Sequence, residues 1–336
     1  MDLSIIIINW NSRSFVRACL ASIREHAGAL KHEVIVVDNA SYDGCGQMVK
    51  SEFPQVIFIQ SDHNLGFARS NNLAFAHSCG QSVLFLNPDT EVHTAALQQL
   101  VAALHSIPAA GMVGAHILNS DLSLQTTCVT ALPSILNQAL SSRYLRRTFP
   151  KWRIWGMRPL LENPKNPVPV EAISGACMMA RREVIEQVGG FSTDYFMYSE
   201  DMDLCVKIAR GGWKIYYVPD ATIVHHAAGS SSSRQESNFS SIMLRESALR
   251  FMELHQGRPY AIWYRSSMAF AATCRILLLI VAFPVAIRST GRRFLAHAFS
   301  KWYDILLWSL GFTRWATGPR QHTRSLSQAG AAPEPE

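Results

Sequence analysis

The sequence predicts an α/β domain, a Rossmann-like and mostly parallel sheet flanked by helices, followed by a helical, membrane-associated C-terminal extension. Two observations predict the sheet: short β-branched runs alternate with helically spaced apolar residues, and each run stops at Asn or Asp. The third is a shift in composition beyond Ser230, where basic, aromatic and apolar residues take over.

Leu3 to Ile8 is a β-branched run ending in Asn9-Trp10-Asn11, as a buried strand does. Ser14 to His26 sets Phe15, Cys19, Leu20 and Ile23 at helical spacing. Glu33 to Val37 repeats the strand pattern and stops at Asp38-Asn39-Ala40-Ser41. Val56 to Ile59 reads as a third strand, Phe67 to His77 as a helix and Ser82 to Leu86 as a fourth strand, which exits into Asn87-Pro88-Asp89. From Gly111 to Pro169 the pattern weakens. Asn119 to Ser123 is a turn, Arg143, Trp152 and Trp155 lie in a basic and aromatic stretch, and Pro164, Pro167 and Pro169 disfavour helix. That stretch reads as a variable lid or acceptor-facing insertion, or as a solvated basic loop. Order returns at Val170 to Arg181, where Ser174-Gly175-Ala176 allows either close approach of a substrate or tight packing.

The Ser-rich segment Ser230 to Ser233 leads into helical spacing over Asn238 to Gln256. Met268 to Ile287 is apolar but broken by Arg275 and Pro284. Its uninterrupted part, Ile276 to Ile287, is shorter than the ~20 residues of a spanning helix, so an in-plane or re-entrant segment fits better. Trp302 to Trp315 has the aromatic and basic mix of an interfacial helix, with a core helical hairpin as the alternative. Gly318 to Glu336 has a disordered composition. The expected organisation is therefore 1–110 and 111–230 as two halves of one domain, 231–317 as a basic amphipathic helical region and 318–336 as a tail.

At 336 residues, 48% hydrophobic and 17% charged, the chain is more apolar than an average soluble protein. A net charge of +6 suits nucleic acid, an anionic membrane or a phosphorylated substrate. The basic residues crowd Arg143 to Arg158 and Arg245 to Arg324, which favours the last two and leaves no nucleic-acid partner expected. Seven cysteines, odd in number and without a CxxC pair, disfavour a disulfide framework or zinc knuckle. Asp2 precedes an apolar run that stops at Asn9, unlike a signal peptide, so a reducing, cytosolic compartment is expected.

The turn after the first strand lacks Gly-x-Gly-x-x-Gly, which argues against a dinucleotide-binding oxidoreductase. Asn and Asp at strand ends can read a base or ribose edge, or serve as ordinary turn formers. Asp89 leaves a sheet edge, where ligands collect in open α/β sheets. Glu200 and Asp201 are adjacent, so on regular backbone Asp201 can face a cleft as one general base while Glu200 anchors elsewhere. The same acids also suit a solvated helix start. With His225-His226 downstream, these pieces could assemble one acidic, metal-dependent site.

Several motifs recur in order: Val36-Val37-Asp38-Asn39-Ala40-Ser41-Tyr42-Asp43-Gly44, Asn64-Leu65-Gly66-Phe67-Ala68 with Asn71-Asn72, and Leu86-Asn87-Pro88-Asp89-Thr90. Ser174-Gly175-Ala176, Gly189-Gly190-Phe191, Glu200-Asp201-Met202-Asp203 and His225 followed by Gly229-Ser230 complete the set. On these, about the first two-thirds of the chain resembles the GT-A glycosyltransferases of family 2, within them the bacterial rhamnosyltransferase-like branch. The resemblance implies an inverting transferase moving rhamnose or another hexose from a nucleotide sugar to a polyprenyl-diphosphate-linked glycan at the cytoplasmic membrane face. It implies nucleotide contacts from Asn9, Asn11, Asp38, Asn64, Gly66, Asn72 and Asn87, and Mg2+ or Mn2+ held by Asp89 and His225. Asp201 would be the general base, Glu200 would orient the acceptor, and Gly175 and Ala176 would lie on the acceptor side. Asp203 would pair structurally and His226 would be a bystander. The sequence departs from the family pattern at Asn87, where many relatives carry a carboxylate, at Ala74, where glycine is common, and at Glu171, where aspartate is common. Two other readings stand beside it: a catalytically inactive membrane adaptor that binds nucleotide sugar, and a sugar-phosphate nucleotidyltransferase. The latter usually opens with a Gly-rich loop carrying Arg and Lys, which Ile8 to Ser14 lacks.

Overall fold

A computed structural model describes residues 1–226, 238–286 and 292–313. The Gly229-Ser230 motif, the Ser-rich segment, Ile287, Trp315 and the 318–336 tail lie outside the described residues.

The strands are β1 (Leu3–Asn9), β2 (His32–Asp38), β3 (Ile57–Gln60), β4 (Ser82–Leu86), β5 (Thr90–Val92), β6 (Ala110–Leu118), β7 (Val129–Thr130), β8 (Val168–Val170), β9 (Ala172–Ile173), β10 (Cys177–Arg181) and β11 (Lys214–His225). Between them run α1 (Arg13–His26), α2 (Cys45–Glu52), α3 (Gly66–Ala76), α4 (Ala96–Ser106), α5 (Ile135–Ala139), α6 (Arg143–Thr148), α7 (Arg158–Leu161), α8 (Arg182–Val188) and α9 (Glu200–Arg210). After β11 come α10 (Asn238–Gln256), α11 (Arg258–Ala286) and α12 (Arg292–Leu310).

The main sheet has the order β3-β2-β1-β4-β10-β6-β11-β5, with β8 pairing β11. Its first half is parallel throughout, as strand–helix alternation requires. Beyond β4 the sheet is mixed, because β10 runs antiparallel to both neighbours and β5 antiparallel to β11. The central strands read as unbroken apolar runs because both faces are covered. Leu3, Ile5 and Ile7 of β1 join Val34, Val36, Leu84 and Leu86 under α1, α2 and α4. Ile6 and Ile8 join Ile35, Val37, Val83 and Phe85 under α3, α8 and α9.

The stretch whose pattern weakens contains a central element. β6 is buried along most of its length between β10 and β11, and its Ala110-Gly111 and Gly114-Ala115 pairs supply little of the β-branched signal of β1. Trp155 is fully packed in the core and its Nε1 donates to the Phe149 carbonyl at 3.0 Å, so this part of the basic stretch is an anchor rather than a solvated loop. Trp152 is exposed and stacks on Phe149 with ring centroids 4.4 Å apart.

The chain divides into two compact units, one formed by Met1–Tyr195 and Ser199 to the end of β11, the other by Phe196–Tyr198 and α10 to α12. Strands on both sides of residue 110 share the sheet of the first unit. In the second, Ser247 Oγ donates to the Met197 carbonyl at 2.6 Å. Tyr264, Met268 and Ala272 of α11 and Ile305 and Trp308 of α12 are buried, and Trp308 Nε1 donates to Glu246 at 2.5 Å. Trp308 is therefore a core residue of a helical hairpin and not an interfacial anchor. The largest set of exposed apolar side chains lies on α11, with Ile262, Trp263, Phe270, Leu277, Leu278 and Val281, while α12 exposes Phe299, Tyr303 and Leu310. Arg275 does not break α11, because its guanidinium lies 4.2 Å from the Trp302 ring centroid. Arg258–Val281, with a mean hydropathy of 1.4, is long and apolar enough to cross a membrane by length and composition, against the short segment expected from sequence.

Candidate active site

Asn9 and Asp38 end the neighbouring parallel strands β1 and β2 in register. Asn9 Nδ2 donates to Asp38 Oδ1 at 2.5 Å and to Ser41 Oγ at 2.9 Å, and its Oδ1 accepts the Ser12 N–H at 3.1 Å. Asn9 is fully buried with its amide engaged at both ends, so it braces Asp38 rather than touching a nucleotide. Asp38 also accepts from the Ser41 hydroxyl, from the Ser41 N–H at 3.2 Å and from Gln60 Nε2 at 2.7 Å. Asn11 is exposed, in the left-handed region at φ 53°. Ala40 (φ 56°) and Tyr42 (φ 51°) share that conformation beyond β2. Left-handed backbone at non-glycine residues clusters at functional sites.

Asn64 Oδ1 accepts the Gly66 N–H at 2.9 Å, an Asx turn at the start of α3 for which Gly66 supplies φ 77°. Asn72 does not line this region with a free amide. Its Nδ2 donates to the Phe191 carbonyl at 2.8 Å and its Oδ1 accepts the Phe191 N–H at 2.9 Å, which makes it a strut for the Gly190-Phe191 turn. Ala74 is buried inside α3, where a glycine turn is not needed.

Asp89 sits in the turn from β4 to β5. The antiparallel register sets His225 opposite Thr90, and the His226 N–H donates to the Asp89 carbonyl at 2.8 Å. His225 Nε2 consequently lies 3.2 Å from Asp89 Oδ1 and 3.3 Å from Asn87 Nδ2. Asp89 is 2% exposed, and no Lys or Arg pairs with it among the described residues. A buried carboxylate facing an imidazole nitrogen is a donor set suited to a hard divalent cation. No cluster of three or more His, Cys, Asp or Glu side chains forms among the described residues, so a cation here would need oxygen ligands from substrate or water. His226 is held apart by Glu91 and Ser120, each at 2.8 Å.

Asp201 lies in the first turn of α9, entered through Tyr198 (φ 71°) and Ser199 (φ 66°). Its Oδ2 accepts the Gly175 N–H at 3.0 Å and its Oδ1 the Met202 N–H at 2.8 Å. Burial pushes the Asp201 carboxyl above the ordinary carboxylate range, against the opposing pull of these N–H groups. A Cβ at Gly175 would stand 3.3 Å from Asp201 Cβ, so glycine gives the backbone this close approach. Ala176 is buried and its carbonyl accepts the Asn87 N–H at 3.0 Å. The Ser174–Ala176 loop thus joins Asp201 to the Asn87–Asp89 turn, and neither Gly175 nor Ala176 offers a side chain to an acceptor. Glu200 is 8% exposed and faces inward, which suits an anchor better than an acceptor-orienting group. Asp203 accepts from the Tyr195 hydroxyl at 3.1 Å. Glu171 accepts the Leu132 N–H at 3.2 Å.

Sequence reasoning missed Gln60 and Gln125. Gln60 carried the signal used for Asn9 and Asp38, a polar residue at a strand end. Gln125 Oε1 lies 3.0 Å from His225 Nδ1, and nothing in its local sequence distinguishes it.

The model of glycosyl transferase family 2 matches residues 4–189, more than half of the chain. The chain belongs to glycosyl transferase family 2. This family 2 glycosyltransferase is 31% identical over 211 residues to an N-acetylglucosaminyl-diphospho-decaprenol L-rhamnosyltransferase of Mycobacterium tuberculosis, covering 59% of this chain and 67% of that one. It is 25% identical over 240 residues to the rhamnosyltransferase WbbL of Escherichia coli, covering 66% of this chain and 83% of that one. Among solved structures, a mannosyltransferase from Pyrobaculum calidifontis in complex with GDP-Man and Mn2+ has the same GT-A fold. The TM-score is 0.59 at 18% identity, over 93% of this chain and 88% of that one.

Proposed function

We propose that this family 2 glycosyltransferase moves a hexose, rhamnose foremost, from a nucleoside-diphosphate sugar to a polyprenyl-diphosphate-linked glycan, with inversion at the anomeric carbon. What carries the reading is the single scaffold linking Asp201 to the Asn87–Asp89 turn through Gly175 and Ala176. The named activity of the mycobacterial and Escherichia coli relatives supports the donor sugar, and the decaprenol in the mycobacterial name supports the acceptor class.

Asp201, its carboxyl pushed up by burial, takes the proton of the acceptor hydroxyl as the oxygen bonds to the anomeric carbon. The bond from that carbon to the diphosphate breaks on the opposite face, and the nucleoside diphosphate leaves with the bonding pair. Asp89 and His225, with Asn87 beside them, would hold Mg2+ or Mn2+. When bound, the cation supplies neutralisation of the diphosphate charge. The Asp38 network and Asn64 border the nucleotide. α10 to α12 would hold the protein at the cytoplasmic face of an anionic membrane through the exposed α11 side chains and nearby basic residues. Flotation of the chain with anionic liposomes, lost when residues after Gln256 are removed, is the expected result; equal flotation of the truncated chain would reject it.

The deciding experiment is a thermal-shift panel of TDP, UDP and GDP and their sugars, each with and without Mn2+. Stabilisation by one nucleotide, increased by Mn2+, is expected. No response across the panel would overturn the transferase reading.

A further inference from the structure

We infer that Gln125 is a positioning residue that commits His225 to ligation through Nε2, an inference that rests on the reading of Asp89 and His225 as cation ligands. Gln125 follows the Asn119–Ser123 turn and its main chain is fixed from both sides. Its N–H donates to the Ile117 carbonyl at 2.9 Å, and its own carbonyl accepts the Cys128 N–H at 3.0 Å. A bridge between Leu118 and Leu124 closes the turn next to it. The side chain is thereby delivered to His225 from a rigid hairpin, and its Oε1 lies 3.0 Å from Nδ1.

An amide oxygen only accepts, so this contact places a hydrogen on Nδ1. Nε2 is then the nitrogen left to face Asp89 Oδ1 at 3.2 Å and Asn87 Nδ2 at 3.3 Å. Asn87 Nδ2 can only donate to a lone pair on Nε2, whereas the Asp89 oxygen opposes such a lone pair, and a cation between Asp89 and Nε2 removes that opposition. Without Gln125 the ring is free to take the other tautomer, with the Nε2 hydrogen donated to Asp89. That internal bond would satisfy both ligands and close the position between them. Second partners of this kind fix the orientation and tautomer of ligating histidines generally.

The neighbouring histidine, just after β11, provides a contrast. Ser120 meets His226 Nδ1 while Glu91 occupies its Nε2, so both ring nitrogens are spent on protein. His225 differs because the group opposite its Nε2 is the buried Asp89.

The test uses the full-length protein. In the cation-free state, two-bond 1H–15N spectra, with His225 assigned through His225→Gln, should show a hydrogen on Nδ1. The opposite tautomer in the wild type overturns the inference without any Gln125 variant. Mn2+ binding is then followed by EPR in the presence of whichever of TDP, UDP or GDP stabilises the protein. Gln125→Leu should weaken Mn2+ about 10–100-fold and lose the Nδ1–H signature, while Gln125→Glu, which also accepts at Nδ1, should restore both. Wild type that binds Mn2+ alongside Gln125→Leu with equal affinity and an unchanged tautomer refutes the positioning role alone. Wild type that binds no Mn2+ refutes the cation reading itself, and the inference falls with it.

Discussion

Asp38 and Asp201 are both carboxylates at the ends of regular elements, and they are held in opposite ways. Asp38 ends β2 inside a side-chain network in which Asn9, Ser41 and Gln60 donate to its two oxygens. Asp201 opens α9 and, among the described residues, receives backbone N–H groups, from Gly175 and Met202, while burial holds its carboxyl above the ordinary range. The comparison teaches that partners, not residue type, divide the labour. A satisfied network rigidifies the wall where a nucleotide would lie, whereas a carboxylate short of donors keeps the basicity that proton removal needs.

The largest effect is expected from Asp201→Asn. If Asp201 is the base, kcat falls by about 10²–10⁴-fold while nucleotide affinity, measured by calorimetry, stays within about twofold. Equal losses would move Asp201 to the binding side. The same variant reads the burial of the carboxyl. Because the folded pKa lies above its ordinary value of 3.8, the folded state binds this proton more tightly than the unfolded chain does. The stabilisation is complete below that ordinary value and is lost as pH rises through the folded pKa. Wild type should therefore lose stability relative to Asp201→Asn over that interval in denaturant titrations; a pH-independent difference would reject the assignment. The smallest effect on chemistry is expected from Asp38→Ala, which takes an acceptor from the buried amide of Asn9. It should cost about 1–3 kcal/mol of stability, with KM for donor rising more than kcat falls, and a loss confined to kcat would contradict its place in the wall.

Legibility followed the physics of each element. β1, β2 and β4 were readable because two covered faces demand unbroken apolar residues. β6 was not, because its glycines and alanines pack against β10 and β11 with little side-chain signal. Within the site, Asp38, Asp89 and Asp201 stood out as acids at element boundaries. The roles of Asn9 and Asn72 did not, since an amide that braces a neighbour and an amide that meets a ligand look alike in one dimension. Trp308 misled in the same way: an aromatic among basic residues suits an interface, yet it fills the core of the helical hairpin.

Two things were set by the amino-acid sequence alone: the alternation that makes a parallel half-sheet, and the acids at its exits. Those are local properties, set by periodicity over a few residues. Only the tertiary structure decided which groups meet. The antiparallel register of β5 on β11 brings His225 to Asp89, and the pairing of β10 with β4 carries Asp201 to the Asn87 turn by way of Gly175 and Ala176. Such meetings depend on strand order and register over long sequence separations. A one-residue slip of β11 against β5 would turn His225 to the opposite face, away from Asp89.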